Sequence, residues 1–159
     1  MLTVELAEDL SDPSWKPEWR PDYLPVQPRG GFAEMTSDDF TFLCFKVRLF
    51  LRTERERVRL RVVELPAVDF ALMLRFLQRQ VAEEGSGTAE ASLNDFAVHA
   101  RETGDGIVTL SFARHEGEYE MTRDELSELV RGVGRAALGL MCEAHPELRA
   151  NPYLRSLGL

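Results

Sequence analysis

The side chains able to do acid–base, nucleophilic or metal chemistry are scattered along this chain. The histidines, His99, His115 and His145, have no second His or Cys at the spacing of a metal site. His99 falls on the more polar face of a strand, His115 in a turn beside Glu116, and His145 at a helix C-terminus, where a cation is favoured. Cys44 lies in an apolar run and Cys142 near a helix end, so both read as free thiols. No GxSxG elbow occurs. "GGF" at Gly30–Phe32 and "GSG" at Gly85–Gly87 lack a Walker lysine and a dinucleotide-loop context, and read as plain loops. The acid pairs Asp38–Asp39, Glu83–Glu84 and Asp124–Glu125 sit at turns and helix ends, where caps and solvation account for them. No catalytic residue, cofactor or metal ligand is assigned on these grounds.

The basic side chains are more concentrated. The chain has a net charge of -8, yet Phe40–Leu65, "FTFLCFKVRLFLRTERERVRLRVVEL", holds Lys46, Arg48, Arg52, Arg55, Arg57, Arg59 and Arg61. A hairpin turning at Thr53–Glu56 sets Arg52 opposite Arg57 and Arg48 opposite Arg61. Like charges directly opposite are unfavourable by a few tenths of a kcal/mol or more, on the order of a cross-strand pair. Glu54, Glu56 and acids of a neighbouring strand are the expected compensation. The other reading makes Arg48, Arg57, Arg59 and Arg61 an anion or acidic-partner site.

These residues need elements to hold them. Residues 41, 43, 45, 47, 49 and 51 alternate as the buried face of a strand, and Val58, Leu60 and Val62 face inward on the next. A helix opens at Pro66, with Phe70, Met73, Leu74, Leu77 and Val81 buried and Leu72 and Phe76 widening the stripe. Ala89–Glu102 reads as a strand with Phe96, Val98 and Ala100 inward. "TGDG" then turns the chain into a strand carrying Val108, Leu110 and Phe112. A short extension holds Tyr119 and Met121. Thr122 and Glu125 form a capping box for a second helix, striped by Leu126, Leu129, Val130, Val133, Ala137, Leu140 and Met141. Gly132, Gly134 and Gly139 in that helix suggest close approach to the sheet. Pro146 ends it, and Tyr153, Leu154 and Leu157 dock the tail.

Residues 1–39 differ in composition. "SDPSWKPEWRPDYLPVQPRGG" holds five of the eight prolines, with Trp15, Trp19, Tyr23 and Leu24. It reads as an extended arm packed on a single domain at 40–159. The expected fold is α+β: an antiparallel sheet of about 4–6 strands with two amphipathic helices on one face, a two-layer sandwich preceded by that arm.

At 159 residues with 44% apolar and 29% charged side chains, the composition is that of a soluble globular domain. A pI near 5.0 argues against nucleic-acid partners. The N-terminus lacks the basic and apolar regions of a signal peptide, and no apolar run reaches membrane-spanning length. A cytoplasmic location without membrane contact is expected.

The joins "RVRLRVVELPAVDFALMLRFL" and "GIVTLSFARHEGEYEMTRDELSELVRGV" give the region from Phe40 to Met141 an outline that resembles small acidic bacterial α+β proteins, uncharacterised or of the toxin-immunity type. That resemblance implies a non-enzymatic protein-binding module that inhibits a bacterial toxin. A basic toxin domain would suit an acidic patch of Asp38, Asp39, Glu83, Glu84, Glu116, Glu118 and Glu120. A second expectation is a homo-oligomeric scaffold that buries Trp15, Trp19 and Tyr23 in a homodimer. A third is an enzyme or small-ligand binder with a pocket where His99, Arg101 or the second-strand arginines converge.

Overall fold

Alternating residues of "TVELAE" place Val4 and Leu6 on one side and Glu5 on the other, and Thr3–Glu8 forms the first strand, β1. The computed structural model describes residues 1–25 and 27–159. β1 pairs antiparallel with β2 (Val47–Arg52), which pairs antiparallel with β3 (Arg57–Arg59) across the turn at Thr53–Glu56. Helix α1 (Ala67–Glu84) follows. A second antiparallel sheet then forms in sequential order from β4 (Ser86–Glu90), β5 (Ala97–Gly104), β6 (Ile107–Phe112) and β7 (Glu118–Thr122). Helix α2 (Arg123–Ala144) and a short α3 (Pro152–Leu157) complete the chain.

The fold is α+β, with the strands divided between two sheets of three and four. The division has a local cause. After Leu60, whose amide still donates to the Leu49 carbonyl, the chain leaves the ladder: the Val62 amide donates to the Leu60 carbonyl, and Glu64 takes a left-handed φ of 56°. β3 therefore ends before it can meet another strand. α1 packs on β4, β5 and α2, and α2 packs on β1, β6 and β7, so the helix pair spans both sheets. Between them lie Val4, Leu49, Leu51, Val98, Val108, Leu110, Leu74, Leu77, Leu126 and Met141, all buried.

Several elements differ from the sequence pattern. The strand expected from residue 41 starts at Val47, because Asp39–Leu43 coils into a π-helical turn that sends Phe40 into the core. Gly85–Gly87 is no loop: Gly85, at φ 77°, caps α1, and Ser86 opens β4. The strand expected over Ala89–Glu102 is interrupted at residues 91–96, where Asp69 accepts from the Ser92 amide and hydroxyl and the Asn94 side chain accepts from the Phe96 amide. Phe76 is 44% exposed and does not join the α1 stripe. Of the three glycines in α2, Gly134 has a close neighbour. That neighbour is the Leu159 side chain, 3.1 Å from where a Cβ would stand, and not the sheet. The capping box at Thr122 and Glu125 is present as expected.

The proline-rich segment is fastened by hydrogen bonds to its own core. The buried Asp12 carboxylate accepts from the Ser14 amide and hydroxyl and from the Lys46 amide. The Ser14 hydroxyl oxygen accepts from the Phe45 amide, and Trp15 Nε1 donates to the Lys46 carbonyl at 2.6 Å. From the other end of the chain, buried His145 donates from Nε2 to the Ser14 carbonyl, and buried Asn151 donates to the carbonyls of Phe32 and Met35. His145, buried at the C-terminal end of α2, therefore holds the arm.

Two expected outcomes test this packing. Leu60→Asp, which buries a carboxylate at a position 3% exposed, should unfold the protein, whereas exposed Arg59→Asp should keep or raise the urea midpoint. Equal loss from both would overturn the β3 register. Asp12→Ala should cost on the order of 2–3 kcal/mol, because it strands the half-buried Lys46 amide and the buried Ser14 amide and hydroxyl. Equilibrium urea unfolding measures it, and an unchanged midpoint would overturn the role given to Asp12.

Candidate binding surface

The outward face of β1–β2–β3 collects the arginine stripe. The observed register sets Arg52 opposite Arg57, as the hairpin pattern requires, and Phe50 opposite Arg59. Arg61 is exposed just past the end of β3 and so does not stand as a ladder partner of Arg48. Arg48, Arg57 and Arg59 share this face with Arg52 around a half-buried Phe50, and the Arg57 guanidinium lies 3.8 Å from the Phe50 ring centre.

Compensation comes from β1, and neither Glu54 nor Glu56 forms an ion pair among the described residues. Glu5 accepts from Arg52 Nη1 at 3.1 Å and from Arg57 Nε at 2.7 Å. Those bonds, that of Arg57 first, hold its carboxyl below the ordinary carboxylate range. Asp9 is held low by the Ser11 hydroxyl, with the Ser11 amide, Arg48 and Arg59 adding smaller contributions. Arg48 donates from Nε to the Glu8 carbonyl. Arg59 and Arg61 have no ion pair or hydrogen-bonded side-chain partner among the described residues. Arg48, Arg52, Arg57 and Arg59 on the face, with Arg61 just past its end, thus meet Glu5 and Asp9 in a chain whose net charge is -8.

Beside this face runs a groove of about 700 Å³, between β3 and the segment leading into β7. Val58, Arg59, Leu60 and Arg61 form one wall; His115, Glu116, Glu118 and Tyr119 form the other. His115 stacks on Tyr119 at an interplanar angle of 5°, and its Nε2 lies 2.7 Å from the phenol oxygen. Burial, with a smaller push from Glu56, raises the Tyr119 phenol above its ordinary range. Arg114 at the rim is engaged by the exposed Asp95 carboxylate.

His99 and Arg101 do not converge with the second-strand arginines. They border a separate, shallow depression of about 230 Å³ on the outer face of the four-stranded sheet, with Thr109, Ser111 and Glu118. There His99 Nδ1 sits 2.9 Å from the Thr88 hydroxyl. The expected acidic patch is dispersed. Glu83 and Glu84 end α1 just before β4, at the opposite edge of the four-stranded sheet from Glu116, Glu118 and Glu120. Asp39 is 1% exposed and bonded to Arg29, while Asp38 stays exposed. Trp15 and Trp19 are buried against Phe45 and so are not offered to a partner or a second copy, whereas Tyr23 is exposed. Cys44 and Cys142 are free thiols, and burial pushes both up, Cys44 strongly.

Comparison with protein-family models, curated proteins and solved structures finds no match to this chain. No helix is long and apolar enough to cross a membrane, and no group of three or more His, Cys, Asp or Glu suited to a metal ion occurs among the described residues.

Sequence patterning located Arg48, Phe50, Arg52, Arg57, Arg59 and Arg61 on this hairpin but did not name Glu5 or Asp9 as the acids that meet them. The available signal was the period of two in "TVELAE", which marks Glu5 as the outward residue of a strand.

The Glu5 ion pairs set a pH dependence. A carboxyl held low by folding adds stability above the pKa it has in the unfolded chain, and loses that contribution as pH falls through the lower folded value. Glu5→Gln should therefore lower stability by a constant amount at neutral pH, and the gap to the parent should close in acid. Urea unfolding across a pH series reads this, and a gap that is flat down to acid would overturn the pairing.

Proposed function

We propose that this protein is a non-enzymatic binding module that covers an acidic surface of a partner protein with the outward face of β1–β2–β3. One observation carries the reading: Arg48, Arg52, Arg57 and Arg59 surround Phe50 on one sheet face with Arg61 just past its end, and neither Arg59 nor Arg61 has an ion pair among the described residues. Arginine with a central aromatic is the composition of interface anchors, because both bury large area at modest entropic cost. A role as stoichiometric inhibitor, of the kind implied by the resemblance to toxin-immunity proteins, belongs to the same proposal. The partner favoured by this face is acidic; the dispersal of the acid set removes the support for a basic one.

The test compares the parent with Arg57→Glu/Arg59→Glu as affinity baits in lysate of the source organism, at low and raised salt. The expected result is an acidic protein retained by the parent, released by salt and absent from the variant, with loss of about tenfold or more in affinity on titration of the purified pair. A partner held equally by both baits, or no partner retained by the parent, overturns the reading.

A further inference from the structure

The two ladders leave an open backbone edge beside the groove. Thr53 and Leu60 donate their amides to the carbonyls of Glu56 and Leu49. Since hydrogen-bonded pairs alternate along an antiparallel ladder, Val58 also bonds toward β2. The amides and carbonyls of Arg57 and Arg59 therefore point away from β2, toward the groove. The Arg123 amide donates to the Gly106 carbonyl, so by the same alternation Glu118 and Glu120 turn their backbone groups away from β6. Exposed edges of this kind accept an added strand unless something covers them.

The fold already contains a strand that satisfies such an edge. β1 lies antiparallel on the other side of β2, with Val4 in the core and Glu5 bridging Arg52 and Arg57. The open side of β3 repeats those requirements. Arg57, Arg59 and Arg61 are exposed along it, while half-buried Val58 and Tyr119 offer apolar surface below.

We infer that the groove takes an extended segment of a partner protein as a fourth strand on β3, with acidic residues on the outward positions and apolar residues on the inward ones. Main-chain bonds to Arg57 and Arg59 supply the pairing, and carboxylates beside Arg59 and Arg61 supply the selection. Glu116 and Glu118 on the far wall keep the acidic side chains toward β3. A second copy of this chain is a poor occupant, because antiparallel pairing of β3 with its own copy brings arginines face to face, and pairing of β7 with its copy does the same for glutamates. The inference rests on the acidic-partner reading and adds its binding mode.

The test titrates the isotopically labelled full chain with a capped octapeptide alternating valine and glutamate, followed by amide shifts. Comparators are the valine–lysine peptide and the valine–glutamate peptide N-methylated at alternate residues. Saturable shifts should centre on Arg57–Arg61 and His115–Glu120, and both comparators should bind at least about tenfold more weakly. Arg59→Glu/Arg61→Glu, checked for native circular dichroism, should lose the same. Equal binding of the N-methylated peptide, or shifts that avoid the β3 edge, overturns strand addition. If the purified acidic partner still depends on Arg57 while the peptide fails, strand addition falls and the sheet-face reading stands. If neither binds, both fall.

Discussion

Much of this molecule depends on one strained residue. Phe45 is fully buried with φ at 59°, a left-handed conformation that costs a bulky side chain about 1–3 kcal/mol. The bend it makes separates the π-helical turn at Asp39–Leu43 from β2, and so fixes where the strand starts. What holds it is the arm: the Ser14 hydroxyl on its amide, the Asp12 carboxylate on the next amide, and Trp15 and Trp19 edge-on to its ring at 5.2 Å and 5.8 Å. Phe40 stacks from the other side and His145 tilts against it. Hydrogen bonds to a buried carboxylate contribute about 1.5–3 kcal/mol and each aromatic pair about 0.5–1.5 kcal/mol. Together they exceed the strain.

The outward face inherits its order from that bend. β2 is the central strand of its sheet, and its parity is set at Phe45; a slip of one residue would turn Arg48, Phe50 and Arg52 into the core. Because buried Leu49 and Leu51 fix the opposite parity, the arginines are held outward by core packing and not by their own ion pairs. That matters for the energetics. Exposed ion pairs such as Glu5 with Arg52 are screened by solvent and too weak to position a strand. The charges can therefore be exchanged by a partner without disturbing the fold.

The legible parts of this structure are those governed by local periodicity. The hairpin of β2 and β3, α1 from Pro66, the "TGDG" turn and the Thr122 capping box each follow from a pattern within a few residues. The illegible parts depend on distant partners. Nothing near Phe45 in sequence marks it as left-handed, because its stabilisers are Ser14 and Asp12, about thirty residues away. Gly85–Gly87 carries turn residues yet opens a strand, since β5 supplies its ladder and Gln80 accepts the Thr88 amide. Composition marks Trp15 and Trp19 as residues that pack the arm on the domain, but only the tertiary cluster around Phe45 shows where they sit. The candidate face was half legible for the same reason: the arginines stand on one hairpin, but Glu5 and Asp9 reach them from the other end of the sheet.

A surplus of arginines on an acidic protein raises the question of which charge a partner meets. At long range the net charge of -8 governs, and it opposes an acidic partner. Screening limits that opposition, because the Debye length is about 8 Å at physiological ionic strength. On the face around Phe50 the groups encountered are Arg48, Arg52, Arg57 and Arg59, with Glu5 the nearest offsetting acid. Contact therefore favours the acidic partner even though the whole-molecule charge does not. The two terms act at different stages: net repulsion slows encounter and weakens as salt rises, while the arginine contacts lengthen the life of the bound state and also weaken with salt. Selectivity on such a face comes from the duration of contact, which suits a ligand aligned by main-chain pairing along β3.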